Sequence, residues 1–360
     1  MPDTLISKRK SEHLRIVSDD DVTHHGTTLL EDVKLLHQAL PELDVEELDV
    51  SVKFFGKTLS LPFMITSMTG GAEYAEQLNR GLARVAENMG IAFAVGSQRV
   101  MLRHPEVTPQ FAVRKEIPTG VLLGNIGAVQ LIEVPVDTVA GLAESIDADG
   151  MCVHLNPAQE LVQLEGSRRF QGLLDGIARL LDRMDGKILV KETGAGLSPQ
   201  TLERLKTIGA PVVDVAGAGG TSWTKVESHR PTNGPLQRSA EVFADWGVPT
   251  AVSVYAARGI FDENACIIAS GGMLTGLDAA RAIVLGADIA GYARVILKEF
   301  MEHGYTGTVQ FVETLAHELK MAMLLTGSSN LRALKKAPIV LGQGLRDYLD
   351  SFARTSGENT

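Results

Sequence analysis

The sequence predicts an α/β protein, a parallel (β/α)8 TIM barrel preceded by an N-terminal extension. Between residues 60 and 294, about eight short apolar segments alternate with amphipathic ones, and this alternation is typical of helices packed around a parallel sheet. Small or polar residues follow each apolar segment, at the strand ends where barrels carry their functional sites. The 360 residues leave room for a barrel of about 250 residues with extensions.

An open, doubly wound sheet is the alternative fold. Such a sheet carries a G-x-G-x-x-G turn after its first strand. Here only the segment from Gly217 to Gly220 loosely resembles that turn, and it lies far along the chain. The barrel therefore explains the sequence better.

The predicted elements follow one another in a regular order. The strands cover residues 61–66, 91–95, 121–123, 150–153, 187–190, 211–215, 266–269 and 288–290. The first helix ends near residue 89, and a later one begins at the favourable N-cap pair Ser198-Pro199. The other helices cover about 137–146, 167–184, 236–246 and 277–285. Residues 1–50 form the polar extension, 51–350 the barrel with a covering helix pair from Val309, and 351–360 a disordered tail.

Composition and charge exclude several classes of protein. A net charge of −10 argues against a nucleic-acid-binding protein, which needs a basic face for phosphates. We expect neither a signal peptide nor a membrane span, because the chain has no apolar run of about 20 residues and no apolar segment after Lys10. Cys152 and Cys266 fit buried free thiols in a reducing compartment, so the expected location is the cytoplasm.

One strand end carries an unusual set of polar side chains. The apolar run ending at Val153 is followed by His154-Leu155-Asn156-Pro157-Ala158-Gln159-Glu160, and Pro157 ends the strand because it has a fixed φ and no N–H to donate. The turn gathers an imidazole, two carboxamides and a carboxylate, larger groups than a simple change of direction requires. A hydrogen-bonded loop with a capped helix start is the alternative to a functional site.

The last two predicted strands end in turns typical of phosphate binding. Ser270-Gly271-Gly272 and Gly291-Tyr292-Ala293-Arg294 follow the seventh and eighth strands, where barrels hold phosphates with backbone N–H groups and helix N-termini. Plain tight turns are the alternative.

Side chains at other strand ends suit a flat, polar-edged heterocycle with a phosphate tail, for which FMN is the obvious candidate. They are Thr69, Ser97, Asn125, Lys191 and Thr221. A lysine at that position favours negative charge at the N1–C2 edge of a flavin. A salt bridge between Lys191 and Glu192 or another carboxylate is the alternative.

The extension contains a basic run, Lys8-Arg9-Lys10-Ser11-Glu12-His13. A basic run near a terminus is usually a solvated tail. Its functional interpretation is an arm that folds over an anion.

Together these segments resemble the type II isopentenyl-diphosphate isomerases, the flavin-dependent family. The resemblance spans residues 9 to 294, nearly the whole chain, and rests most specifically on the N-terminal basic motif and the His154–Glu160 motif. The matching segments are Arg9-Lys10-x-Glu12-His13, Met68-Thr69-Gly70-Gly71, Gly96-Ser97-Gln98-Arg99, Asn125-Ile126-Gly127-Ala128, His154-Leu155-Asn156-x-x-Gln159-Glu160, Val190-Lys191-Glu192, Gly219-Gly220-Thr221-Ser222 and Ser270-Gly271-Gly272.

The resemblance implies a barrel that binds FMN and Mg²⁺ and interconverts isopentenyl and dimethylallyl diphosphate without net redox change. It also implies NADPH or NADH as the reductant of FMN, between which the sequence does not choose, and a homotetramer or larger assembly. FMN would be held by Ser67, Met68, Thr69, Ser97, Asn125, Lys191, Thr221, Gly271, Gly272, Ala293 and Arg294. The diphosphate substrate would be bound by Arg9, Lys10, His13, Ser97, Gln98, Arg99, His154, Asn156 and Gln159. Gln159 would also take part in proton transfer, and Glu160 would coordinate Mg²⁺.

One departure from the family pattern concerns the FMN phosphate. The family usually has Ser-Gly-Gly-Ile-Arg after the seventh strand, whereas Met273-Leu274 follow Gly272 here. An arginine near the phosphate is therefore missing. If the phosphate is held mainly by backbone amides, we expect FMN to bind, but more weakly.

Three other functions compete with the isomerase. An FMN-dependent 2-hydroxy-acid oxidase or dehydrogenase needs a histidine base and an arginine clamp, and His229-Arg230 could provide them. An inosinate-dehydrogenase-like enzyme needs a loop cysteine, whereas both cysteines here lie in predicted strands. A non-catalytic phosphate-binding barrel would not need Gln159 and Glu160 to face the pore.

Overall fold

The structure, a computed structural model, describes residues 12–13, 15–17, 21–68, 75–230 and 234–357. Its strands are β1 (Val33–Leu35), β2 (Val52–Phe54), β3 (Lys57–Leu59), β4 (Phe63–Ile65), β5 (Ala92–Ala94), β6 (Leu122–Gly127), β7 (Gly150–His154), β8 (Ile188–Lys191), β9 (Val212–Asp214), β10 (Cys266–Ala269), β11 (Ile289–Tyr292) and β12 (Ile339–Leu341). The strands β4 to β11 close into a parallel barrel in the ring order β10-β11-β4-β5-β6-β7-β8-β9. The predicted fold class is confirmed, and each predicted strand is present.

Helices lie between the barrel strands and after the last one. They are α1 (Ala75–Met89), α2 (Gln130–Glu133), α3 (Val136–Glu144), α4 (Pro157–Val162), α5 (Leu173–Arg183), α6 (Pro199–Thr207), α7 (Trp223–Ser228), α8 (Pro235–Val242), α9 (Thr250–Ile260), α10 (Gly276–Val284), α11 (Arg294–Leu325), α12 (Leu331–Leu334) and α13 (Gln343–Gly357). Helix α11 bends at Gly304, whose φ is 64°. Helix α9 is not among the predicted elements, and it buries Ala251, Val252, Val254 and Ala257 against the barrel.

Two layers of apolar side chains hold the barrel together. Inside it, Met64, Ala94, Leu123 and other strand residues pack with Phe54 and Leu59 of the β2–β3 hairpin. The larger cluster lies between the strands and the surrounding helices. Because both faces of each strand are buried, the strands are continuously apolar, and this explains why they are easy to recognise in the sequence.

The N-terminal extension contacts two separate parts of the structure, the strand β12 near the C-terminus and the rim of the barrel. Strand β1 pairs with β12 in antiparallel register, Lys34 opposite Val340. Residues 21–28, here called the strap, cross the C-terminal rim of the barrel, where Thr23 forms an antiparallel bridge with Thr221. The helix α13 continues to Gly357, so the backbone is helical through 351–357, where the sequence predicts disorder.

Two opposite pairs of barrel strands are each supported by an equivalent arrangement of one aspartate and one arginine. Asp149, before β7, accepts hydrogen bonds from Leu122 N and Arg114 Nη2, each at 2.8 Å. Asp288, before β11, accepts the equivalent bonds from Ile267 N and Arg258 Nη2, also at 2.8 Å. The two arginines each donate through Nε to the carbonyl two residues before the aspartate, Asp147 O at 2.9 Å and Gly286 O at 3.0 Å. The pairs β6–β7 and β10–β11 therefore start from matching anchors on opposite sides of the ring.

Both cysteines are free thiols, Cys152 buried and Cys266 partly buried. None of the described helices is long and apolar enough to cross a lipid bilayer.

Candidate active site

A cavity of about 410 Å³ opens at the C-terminal rim of the barrel. This volume lies in the range typical of small-ligand sites. Each barrel strand supplies a lining residue at or just after its end: Ser67, Ser97, Asn125, His154, Lys191, Ala216, Ser270 and Ala293. Parallel strands bring their carboxyl ends to one rim, so residues far apart in sequence meet here.

Most of the residues singled out in the sequence line this cavity. They are His13, Ser67, Met68, Ser97, Arg99, Asn125, His154, Asn156, Gln159, Glu160, Lys191, Thr221, Gly271, Gly272, Ala293 and Arg294. Arg9, Lys10 and Thr69 lie outside the described residues.

Gln98, which the family resemblance places among the substrate-binding residues, does not line the cavity. Its side chain is fully buried at 0% exposure. The amide donates from Nε2 to Leu142 O at 2.9 Å, and Oε1 accepts from Asn125 N at 3.0 Å. The turn after β5 therefore directs Gln98 into the protein, where it supports the backbone of Asn125 instead of contacting a ligand.

The glycine turns at the ends of β9 and β10 pack too closely for side chains. Gly271 and Gly272 have φ of 95° and 72°, a region that favours glycine. A Cβ on Gly220 would lie 2.3 Å from Gly272 N. Thr250 of the unpredicted helix α9 donates from Oγ1 to Gly271 O at 2.6 Å. The turns thus present backbone to the cavity, as a phosphate grip requires.

Ser67 and Arg294, which line the cavity, show how FMN would fit there. Ser67 Oγ is buried and meets the thiol of Cys152, which is a weak hydrogen-bonding group, so the hydroxyl can still bind a ligand. Arg294 donates from Nε to Val17 O at 2.7 Å and from Nη1 to Thr23 Oγ1 at 3.0 Å. It therefore joins the strap to the rim of the cavity, and burial lowers its pKa from the ordinary value. The donors and the glycine turns fit a flavin with a phosphate tail.

Lys191 lies at the cavity floor and forms no salt bridge with Glu192. Its Nζ donates to the backbone carbonyl of Glu192 at 2.6 Å. The Glu192 carboxylate instead accepts N–H bonds from Thr193 at 2.5 Å, Gly194 at 2.6 Å and Ala195. Burial raises the pKa of Glu192 to about 7 in spite of these bonds. The lysine thus offers its positive charge to the cavity.

His154 is held as a neutral side chain. Its Nδ1 lies 2.8 Å from Asn125 Oδ1. Burial, followed by the charges of Lys191 and Arg99, lowers the pKa of His154 to about 3. With Asn125 accepting through Oδ1, the proton is on Nδ1 and Nε2 is an acceptor.

The short helix α4 carries the polar groups that follow β7. Its N-cap residue Asn156 donates from Nδ2 to Gln159 Oε1 at 3.0 Å and to Glu160 Oε1 at 3.4 Å. Glu160 is 5% exposed and also accepts from Ser167 N. Within the described residues no group of three His, Cys, Asp or Glu could hold a metal ion. A single carboxylate such as Glu160 suits a Mg²⁺ ion whose other ligands are substrate phosphates and water.

Glu227 on α7 belongs to this group of polar residues although it is not among the predicted site residues. Its side chain is 2% exposed and lies 2.8 Å from both His13 Nε2 and Arg230 Nη1. Gln159 Nε2 and Gln163 Nε2 donate to its Oε1 at 3.3 and 2.6 Å. Burial alone would raise the pKa of Glu227, but His13 and Arg230 outweigh it and lower the pKa to about 2. No sequence signal identifies Glu227, since an isolated glutamate in a helix is usually solvated.

The His229-Arg230 pair is not placed for a hydroxy-acid site. Arg230 does not line the cavity and pairs with Glu227 at 2.8 Å, with further contacts to Glu12 at 3.4 Å and Glu165 at 3.5 Å. Its charge is therefore already used within the protein.

Comparison with known proteins agrees with this geometry. The FMN-dependent dehydrogenase family matches residues 4–103 and 157–341. An isopentenyl-diphosphate delta-isomerase of Methanopyrus kandleri is 40% identical over 95% of this chain and 94% of the relative, and one of Nostoc sp. is 42% identical over 91% and 93%. A solved mandelate oxidase with (S)-2-phenylpropionate shares the fold at a TM-score of 0.65 and 15% identity, covering 95% of this chain and 98% of that one. The chain therefore belongs to the isopentenyl-diphosphate delta-isomerase family and, more widely, to the FMN-dependent dehydrogenase family.

Proposed function

We propose that this protein interconverts isopentenyl and dimethylallyl diphosphate with the help of reduced FMN and without net oxidation or reduction. The observation that carries the proposal is that Asn156, Gln159 and Glu160 face the same cavity as the glycine turns. One side of the cavity suits a nucleotide phosphate, and the other suits a metal-bound anion. The family relationship points to the same reaction.

FMN would supply acid–base chemistry next to the alkene and stabilise developing positive charge. Its phosphate would lie at the backbone of Gly271 and Gly272, with Ala293 and Arg294 at the rim. Lys191 would face the flavin ring and favour negative charge on it. The ring edge would also meet Ser67, Met68, Thr69, Ser97, Asn125 and Thr221.

The protein's own side chains would handle the protons and the diphosphate. Moving the double bond requires a proton added at one end of the allylic unit and a proton removed at the other. Gln159 would position or relay one of these protons, held in place by Asn156 and by the ionised Glu227. Acid–base assistance of this kind is worth about 10²–10⁴-fold in rate.

Substrate charge would be balanced from three directions. Glu160 would coordinate Mg²⁺ together with the substrate phosphates. Arg99, and Arg9 with Lys10 on the N-terminal arm, would pair with the remaining phosphate charge. His13, Ser97, His154 and Asn156 would border the diphosphate. The contact of His13 with Glu227 supports an arm that reaches the cavity.

Three finer points belong to the same proposal. NADPH would reduce FMN directly at the cavity, since no dinucleotide fingerprint follows a strand. The protein would work in the cytoplasm as a homotetramer or larger homo-oligomer. Neither nucleic acid nor membrane is an expected partner.

An isomerase assay tests the proposal. Purified protein is supplied with isopentenyl diphosphate, FMN, Mg²⁺ and either dithionite or NADPH, and dimethylallyl diphosphate is measured. We expect conversion only with reduced FMN, loss of activity with EDTA, and recovery with added Mg²⁺. Glu160→Gln should need a higher Mg²⁺ concentration for the same rate. Bound flavin without isomerisation would instead favour a 2-hydroxy-acid oxidase, and the absence of flavin binding would leave a phosphate-binding barrel.

A further inference from the structure

We propose that Gln130 donates a hydrogen bond to the diphosphate of the substrate, forming with His154 the wall of a second anion subsite at the ends of β6 and β7. This inference rests on the proposed function, because it says how the same cavity recognises its substrate. No residue of the α2 turn belongs to the sites inferred from the sequence.

Gln130 is a buried polar residue whose amide nitrogen is left unpaired by the described part of the protein. It lines the cavity and is only 2% exposed. Its Nε2 has no hydrogen-bond partner among the described residues. Burying an amide donor without a partner destabilises a protein, and an apolar side chain of similar size would avoid that cost. An unpaired buried polar group in a native protein calls for an explanation, and at the wall of a cavity a bound ligand supplies one.

Because Gly127 has no side chain, the side chains of Gln130 and His154 can approach the same point beside it. A Cβ on Gly127 would lie 2.6 Å from Gln130 Oε1 and 3.1 Å from His154 Nε2. The carboxamide and the imidazole therefore border the same point. Since Nε2 has no partner that would fix the orientation of the carboxamide, its oxygen and nitrogen can be exchanged by a 180° turn, and the NH2 group then lies at that point.

This wall needs a donor that His154 does not supply. Nδ1 of His154 is engaged with Asn125 Oδ1 at 2.8 Å, so Nε2 of the neutral ring is an acceptor. Lys191 and Arg99 line the same cavity and make it positive, but a phosphate oxygen against the wall itself requires an N–H group. Gln130 provides one without adding charge.

The position of the subsite follows from the ring order. The pair β6–β7 lies opposite β10–β11, where the FMN phosphate would bind, and matching Asp–Arg anchors support both pairs. Two anionic groups in one cavity are best kept apart because like charges repel. The end of β6, where Gln130 lies, is therefore the favourable place for the second anion.

The test measures pyrophosphate binding by FMN-loaded protein in the presence of Mg²⁺, by calorimetry, with the KM for isopentenyl diphosphate measured alongside. The variants are Gln130→Met, which keeps the volume, and Gln130→Glu, which places a carboxylate at the wall. Gln130→Asn, with a shorter side chain, is a second variant in case the Gln130→Met protein does not fold. Gln310→Glu, on the exposed face of α11, is the matched control.

We expect Gln130→Met to weaken pyrophosphate binding and raise KM by roughly tenfold to a hundredfold, as for a lost hydrogen bond to a charged group. Gln130→Glu should weaken both further, and FMN affinity should not change. The melting temperature of Gln130→Met should equal or exceed that of the wild type, which a purely structural role would not allow. Unchanged pyrophosphate affinity, or a loss confined to FMN affinity, would overturn the inference. A wild-type protein that binds pyrophosphate but does not isomerise would refute the proposed function instead.

Discussion

Replacing Glu227 with glutamine should remove a pH-dependent part of the protein's stability. Burial opposes ionisation of Glu227, but His13 and Arg230 outweigh it, so that the pKa falls from 4.5 to about 2. One pKa unit corresponds to about 1.36 kcal/mol, so the ionised carboxylate contributes about 3.4 kcal/mol at neutral pH. Because the folded pKa lies below the unfolded one, this contribution is complete above pH 4.5 and is lost as the pH falls toward 2. From pH 6 to 3.5 the loss is about 1.4 kcal/mol.

Urea unfolding at a series of pH values between 6 and 3.5, at one fixed FMN concentration, measures this contribution. We expect Glu227→Gln to have a free energy of unfolding about 3 kcal/mol below the wild type at pH 6, with the gap about 1.4 kcal/mol smaller at pH 3.5. Glu203→Gln, on the exposed face of α6, serves as the control and should show no such gap. A gap for Glu227→Gln that stays constant with pH would refute the argument that His13 and Arg230 hold this carboxylate ionised.

Three further predictions concern the cavity. His154 has a pKa of about 3, below its unfolded value near 6.5, so its contribution to stability is complete above pH 6.5 and falls as the pH drops. The free energy of unfolding of the wild type should therefore decrease by about 2 kcal/mol between pH 8 and 5 because of this group. Urea unfolding should show no such decrease for His154→Asn. Gln159→Asn shortens the side chain that joins Asn156 to Glu227 and should lower kcat by about 10²-fold or more; undiminished turnover would remove Gln159 from proton transfer. Deleting residues 1–13 should raise KM for the diphosphate steeply while FMN, titrated by absorbance, stays bound, and an unchanged KM would exclude the arm.

The sequence was sufficient to predict the barrel and many of the residues that line the cavity at its rim. Strands buried on both faces are apolar throughout, so they are visible as short apolar segments, and their order fixes where their ends meet. Residues as distant as Ser67 and Ala293 could therefore be placed around one cavity. The glycine turns were likewise recognisable, because a close backbone approach excludes other side chains.

Only the tertiary structure decided which polar side chains reach that cavity and which support it. Ser97 and Gln98 are neighbours, yet Ser97 lines the cavity while Gln98 holds the backbone of Asn125. Glu227 acquires its role through Gln159, 68 residues earlier in the chain, and no local pattern encodes such a contact. The direction of a side chain after a strand depends on the few backbone angles of the turn, and the partner it meets depends on how distant helices pack. Sequence periodicity determines neither of these.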